Sequence, residues 1–439
     1  MPASASAAQV RYLEEVVRGT TPSGNPTEIR VTGESLNQSV ESAASQELRD
    51  DRMTPDSILT GGQVGGALNF EMSFETYDTF LEALLAGTFA TIGTDSTDPV
   101  ADATFSSTDN SLNSAGNSIP YTLIALGQWV RVASARTAAN VGIYRASTTV
   151  AATGAKLRFD TAVKTVTTDA VAHMATISSA RLKNGVAALR TFSMEKEFTD
   201  VSQHFMFTGC GVESASLDFS TGSMLTGSFN FLGQSCTRAT ATQFPSGLGS
   251  VVAATTSPVM NSVQGTTVLL DGASLGESCA ESFSLNIGTG LRGIRCLGSG
   301  LGFSALVLGT FEITANLNIF FGAASSAAVY DKMILNQPLS FAIAVSDANG
   351  KGYGFNLDRA KLSSCEIVAG GINTDVIMNL GLTATIDTVS NAMISIDRFG
   401  DTGPSGAASA SPSSSNSSSP TTSPSSSVSA SPSSSPSAS

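Results

Sequence analysis

The chain has 439 residues, 41% of them hydrophobic and only 13% charged, with a formal net charge of −13. That is enough apolar material for a large core and two or three domains, and the acidic balance argues against a groove that tracks nucleic-acid phosphates with clustered lysine and arginine. No apolar run reaches the roughly 18 residues a membrane span needs, and the Ala- and Ser-rich start lacks the basic and apolar regions of a signal peptide, so no membrane anchor and a cytosolic origin are expected.

The first stretch, 1–25, reads as an N-terminal arm. Leu68, Phe70, Met72 and Phe74 then alternate with Asn69, Glu71 and Ser73, the period-two pattern of a strand with one apolar and one wet face. Between the segment around Leu36 and this strand lies the densest charge cluster of the chain, Glu47-Leu48-Arg49-Asp50-Asp51-Arg52. Mixed signs at close spacing suit a complementary interface, and equally a solvated loop with local ion pairs. Tyr77, Phe80, Leu81, Leu84 and Leu85 follow at helical spacing, with Thr76 expected as N-cap and Gly87 as the stop.

Residues 105–190 carry their own β texture, in Trp129–Val132, Ile143–Arg145, Leu157–Phe159 and Met174–Ile177, and read as a small inserted β-barrel-like domain. Further on, Phe283, Leu285 and Ile287 alternate. Phe311, Ile313, Ala315, Leu317 and Ile319 do so with Glu312, Thr314, Asn316 and Asn318. A shorter helix is expected over 327–335, then a hairpin in which Asn349-Gly350 forms a type I′ turn. From Thr402 onward there is no charged or aromatic residue, and this Ser/Pro/Ala-rich segment is expected to be disordered.

No catalytic constellation emerges. Gly272-Ala273-Ser274-Leu275-Gly276 has the GxSxG spacing, but both histidines, His173 and His204, precede it, against the chain order of α/β-hydrolases. Gly288–Gly293 has the GxGxxG spacing but leads into more strand and glycine rather than a helix. The five cysteines are scattered without a CxxC and read as small reduced core residues. No cofactor or metal is expected.

The chain repeats itself. Ser35-Leu36-Asn37 recurs 249 positions later as Ser284-Leu285-Asn286, and Leu68-Asn69-Phe70 recurs at the same offset as Leu317-Asn318-Ile319. Thr226–Gly233 and Thr374–Gly381 look like matching closing strands, but only 148 apart. The shortfall places the insertion in the first copy. A duplicated β unit points to symmetric assembly.

The runs Val31–Asn37, Glu47–Arg52 and Gly66–Glu71 through Tyr77-Asp78 resemble the tail tube (major tail) proteins of long-tailed bacteriophages. So do Arg181–Gly185, Phe192–Val201, Phe207–Cys210 and Asn140–Gly142, and the likeness spans roughly 26–399. The resemblance implies a mainly β, non-enzymatic virion protein with two tandem tube-type β-sandwich or barrel domains, each with a flanking α-helix. Residues 26–104 plus 191–250 would form the first, 251–400 the second, with the insertion at 105–190 and a disordered tail at 401–439. It implies stacked rings that conduct DNA to the host without binding it specifically, and assembly in the host cytoplasm with tape-measure, tail terminator and distal tail proteins. With two units per chain, homotrimeric pseudo-sixfold rings are expected ahead of hexamers. Asn69, Glu71, Glu312, Thr314, Asn316 and Asn318 become candidates for the lumen face, and Glu47, Arg49, Asp50, Asp51 and Arg52 for inter-ring contacts. The rival reading is a surface or secreted β-domain adhesin carried on a Ser/Pro stalk.

Overall fold

The computed structural model describes residues 2–53, 56–92, 97–114, 124–150, 155–245, 250–275, 279–298, 300–322 and 325–400. The expectation for 401–439 lies outside them. Strands dominate, and two α-helices, Asp78–Leu85 (α1) and Ser325–Ile334 (α2), accompany them. Among the described residues no helix is long and apolar enough to cross a membrane.

Eight strands form the central sheet: β1 (Asn37–Ala44), β2 (Ser57–Glu71), β3 (Gln203–Ser220), β4 (Thr226–Gly233), β5 (Ala280–Gly288), β6 (Glu312–Phe320), β7 (Gly352–Ala369) and β8 (Val376–Ala384). They pair antiparallel in the order β1-β2-β4-β3-β5-β6-β8-β7. The first four thus repeat the connectivity of the last four, and β3 against β5 joins them edge to edge. The register carries the repeat to single residues: Asn37 faces Gly65, and Asn286 faces Thr314, each 249 positions later. The closing strands differ from the sequence expectation. Asn69 faces Ser228 and Asn318 faces Asn379, so the matching residues are 151 apart rather than 148; the terminal glycines that suggested the alignment occupy different rungs.

Both β3 and β7 are 18 residues long and serve two layers. Their first halves pair in an outer layer, β3 with Phe192–Phe198 and Ser235–Ala239, β7 with Leu339–Ser346 and Ser395–Phe399. Each crosses to the central sheet near a bulge, between Val212 and Ser214 and between Leu362 and Ser364, which supplies the added local bend. The N-terminal segment contributes Ala8–Glu14 to the outer layer, on Phe192–Phe198.

The layers enclose the apolar members of the alternating strands. Phe80 of α1 sits at the centre of the first half, with ring centroids 4.7 Å from Tyr12, 5.1 Å from Phe192, 5.6 Å from Phe229 and 5.3 Å from Phe231. Phe80, Leu81, Leu84 and Leu85 are all buried, as their spacing requires. The caps fall differently from expectation: Tyr77 is the N-cap and makes no side-chain capping bond, and Ala86 takes the left-handed φ of 47°. Gly87 is needed for another reason, since a Cβ there would lie 2.5 Å from the Lys183 carbonyl oxygen. In α2 only part of the apolar stripe finds cover; Val329 is buried, while Tyr330 and Ile334 are exposed. At the hairpin after Leu339–Ser346, Asp347 Oδ1 accepts from the Asn349 and Lys351 amides, and Gly350 alone is left-handed. A type I′ turn needs two such residues, so the aspartate has replaced it with a longer loop.

Thr97–Ser106, Ser111–Ser114, Trp129–Ser134, Gly142–Val150, Ala155–Phe159 and Asp169–Ser178 close into a separate barrel with its own core of Val100, Phe105, Leu112, Val130, Val132, Tyr144, Leu157 and Ile177. Although inserted in the first half of the chain, the barrel docks on the second. Trp129 packs with Leu269, Ala342, Ala344 and Phe399, and its Nε1 donates to Asn356 Oδ1 at 2.8 Å. Gly354 makes room for the indole, because a Cβ there would come within 2.2 Å of it. Asp397, fully buried, accepts from the Trp129 amide at 3.0 Å and from Arg181 through two bonds of 2.6 and 2.7 Å.

A second contact joins the halves where α1 begins. The Glu75 amide donates to Tyr353 Oη at 2.9 Å, Tyr353 Oη donates to Asp78, and Arg398 donates to Asp78 while lying 3.8 Å from Glu75 Oε1. Burial pushes the Glu75 carboxyl up from 4.5 to about 7; Asp78 adds to the rise, while Arg398 and Lys351 oppose it.

Removing one partner of a buried ion pair strands the other, so Asp397→Ala is expected to lower the unfolding free energy by about 3–5 kcal/mol in denaturant titrations at matched protein concentration. Because Glu75 has a higher folded than unfolded pKa, its contribution is fully present below about 4.5 and is lost as pH rises through about 7. Glu75→Gln should therefore gain stability relative to the parent between pH 5 and 8; a pH-independent difference between the two denaturation midpoints would contradict this.

Candidate functional site

Residues paired across an antiparallel sheet project to the same side, so the register fixes what the outer face of the central sheet presents. One row runs Asn69, Ser228, Ser216, Asn286, Thr314, Thr383, Lys361 across seven strands. The next runs Glu71, Thr226, Asp218, Ser284, Asn316, Gly381, Ser364. Asn318 lies between Ser282 and Asn379 in a third, and Glu312 pairs with Gly288 in a fourth. All six residues expected on the wet face therefore share one surface, from both halves of the chain. Their strand neighbours Leu68, Phe70, Ile313, Ala315, Leu317 and Ile319 are buried on the other side.

This face is polar and partly self-bonded. Ser216 and Ser228 hydroxyls lie 2.9 Å apart, Asn318 Nδ2 donates to Ser282 Oγ at 2.9 Å, and Asn230 Nδ2 donates to Ser214 Oγ at 3.0 Å. Its rows carry the carboxylates of Glu71, Asp218, Glu312 and Glu366 against Lys361. Such a surface repels polyanions rather than gripping them. Ser216, Asp218, Ser228 and Asn286 belong to it and escaped the sequence reading. The polar alternation in 214–220 and 226–230 was the available signal.

The charged cluster sits elsewhere. Glu47, Arg49, Asp50, Asp51 and Arg52 lie in the exposed loop joining β1 to β2, at the tip of a hairpin that extends past the rest of the sheet register. Arg49 Nη2 donates to Asp51 Oδ2 at 2.6 Å and Nε to Oδ1 at 3.0 Å. That bond, followed by one from the Met53 amide, holds the Asp51 carboxyl below its ordinary range. Leu48 is fully exposed and Met53 largely so, so the loop presents apolar as well as charged groups. The second half braces the hairpin: Arg295 donates to Glu41 at 2.9 and 3.0 Å and to the Gly62 carbonyl at 3.0 Å.

Other chemistry dissolves on inspection. Ser274 lies exposed in a tight hairpin with Leu269, and Gly272 supplies a φ of 76°. Arg292–Ile294 is a strand, so the GxGxxG spacing opens no helix. Glu195, Glu197 and His204 cluster closely, yet Glu195 already accepts from Thr242 Oγ1 at 2.8 Å and the Gln243 amide at 2.6 Å, and Glu197 pairs with Arg11 at 2.6 Å. The cysteines are not uniformly core residues as expected. Cys210 is buried, Cys236 and Cys365 are half-buried, and Cys279 and Cys296 are exposed, because they fall at the ends of strands and in loops.

Comparison with curated proteins returned no match. A family model described as phage tail tube protein matches residues 5–387, a range that contains the repeated strands, the inserted barrel and the charged hairpin, and the chain belongs to that family.

Proposed function

We propose that the chain is the repeating subunit of the tail tube, that three copies close into a pseudo-sixfold ring, and that stacked rings conduct the genome. The family places it among structural proteins of the phage tail. The observation that carries the finer reading is the single sheet made of two like halves, β1-β2-β4-β3 and β5-β6-β8-β7, with one polar face that is mostly neutral and carries more carboxylates than cations. Two ring positions are thereby fused in one chain. In the ring, Asn69, Glu71, Glu312, Thr314, Asn316 and Asn318 line the channel beside Ser216, Asp218, Ser228 and Asn286. A lining without clustered cations lets DNA pass, since phosphates find nothing to hold them.

In this reading the Glu47–Arg52 hairpin reaches the neighbouring ring, and the inserted barrel lies on the outside. A tape-measure protein occupies the channel during assembly in the host cytoplasm, and terminator and distal tail proteins close the ends. The family match favours this over a surface adhesin on a Ser/Pro stalk.

Negative-stain microscopy of the purified protein should show rings or tubes of uniform width, with three peripheral barrels per ring. Six barrels per ring would replace the trimer with a hexamer, and single particles under every assembly condition would sink the tube reading. Arg49→Glu combined with Arg52→Glu should leave rings intact and abolish long tubes; tubes of unchanged length would remove the hairpin from the stacking contact.

A further inference from the structure

The seam inside the chain is a template for the seam between chains. We infer that β7 of one copy pairs antiparallel with β1 of the next, with Glu366 opposite Asn37, Cys365 opposite Gln38 and Ser364 opposite Ser39 of the neighbouring copy. This rests on the ring reading above and adds the contact surface and its register.

The argument begins with the internal joint. There Ser214 faces Gly288, Ala215 faces Ile287, Ser216 faces Asn286 and Leu217 faces Leu285. The strand equivalent to β5 is β1, because Asn37 and Asn286 hold the same rung against Gly65 and Thr314. The tripeptide Ser284-Leu285-Asn286 that meets β3 reappears there as Ser35-Leu36-Asn37. The strand equivalent to β3 is β7, because Val212 faces Phe231 and Leu362 faces Leu382, with the same bulge immediately after. Carrying each partner to its equivalent gives the three pairs above.

Both strands stand ready for this pairing. β1 and the 361–369 part of β7 are the two ends of the eight-strand order, each bonded on one side only among the described residues. An edge of this length is an aggregation hazard unless something covers it. Burial points the same way. Leu217 is 3% exposed within the internal joint, whereas its equivalent Ile367 is 45% exposed, and Val40 on the opposite edge is 56% exposed. A second copy buries those side chains as β5 buries Leu217. Leu36 has its amide held by Glu34 and its carbonyl by Lys196, so those two side chains swing aside if the ladder extends to Ile367. The occupant is another copy of this chain because both edges match a joint the chain already makes with itself.

Cross-linking tests the register separately from the ring. Opposed residues in an antiparallel pair have Cα atoms about 4.5 or 5.5 Å apart, within the roughly 4.4–6.8 Å a disulfide spans. In a Cys279→Ser, Cys296→Ser background, Gln38→Cys should cross-link to native Cys365 on mild oxidation of assembled protein. The band should shift to two- and three-chain masses, revert on reduction, and vanish with Cys365→Ser. Asn37→Cys with Glu366→Cys, in the Cys365→Ser background, checks the adjacent rung should Gln38→Cys fail to fold. Val40→Cys, two residues along the same face, should cross-link to Cys365 far less. Rings that form but cross-link equally or better through Val40→Cys, or through none of these pairs, overturn the register and leave the ring standing. Absence of rings in the parent protein overturns the ring reading itself.

Discussion

Everything in this molecule depends on the antiparallel joint between β3 and β5. Seven consecutive pairs, from Ser214–Gly288 to Ser220–Ser282, merge two four-stranded sheets into one surface. Because side chains alternate at period two, a slip of one residue there, with β3 held in place, would turn Leu285 outward and bring Ser284 and Asn286 to the core side. The joint therefore sets more than adjacency: it decides that the polar faces of both halves are continuous. The bulges in β3 and β7 then let each long strand leave that surface and build the outer layer that encloses the core.

The insertion and α1 tie the halves together on the far side of the sheet. Trp129, Arg181 and Asp397 form one buried attachment, and Asp78, Tyr353 and Arg398 form another. Both use charged or polar groups with several partners each, as burial demands. They also cross between segments far apart in sequence, which makes the halves a single mechanical body without help from a disulfide.

Much of this was legible in the residue pattern. The alternation in 68–74 and 311–319 located β2 and β6 and named six residues of the polar face, and the 3.6-residue spacing in 77–85 located α1. The 249-residue offset held to the level of individual rungs. What the pattern did not carry was long-range. The docking of Trp129 on Gly354 joins residues that no local periodicity relates. The polar members of β4 alternate with apolar partners that Gly227 interrupts, and those of β3 begin only after the bulge between Val212 and Ser214 breaks the period. Where capping and turn residues were misassigned, a competing bond had taken over: Thr76 is engaged with Ser73, and Asp347 with the amides of its own loop.

Fusion of two like halves also changes what a single mutation can do. Equivalent rungs hold Gly65 and Thr314, Ala67 and Asn316, and Glu71 and Phe320. The halves have thus drifted apart at matching places while keeping one backbone plan. In an assembly of identical single-unit subunits every substitution is imposed on all sectors at once. In the proposed three-copy ring it reaches only alternate sectors, so one half is free to carry an appendage such as the barrel while the other keeps the plain wall.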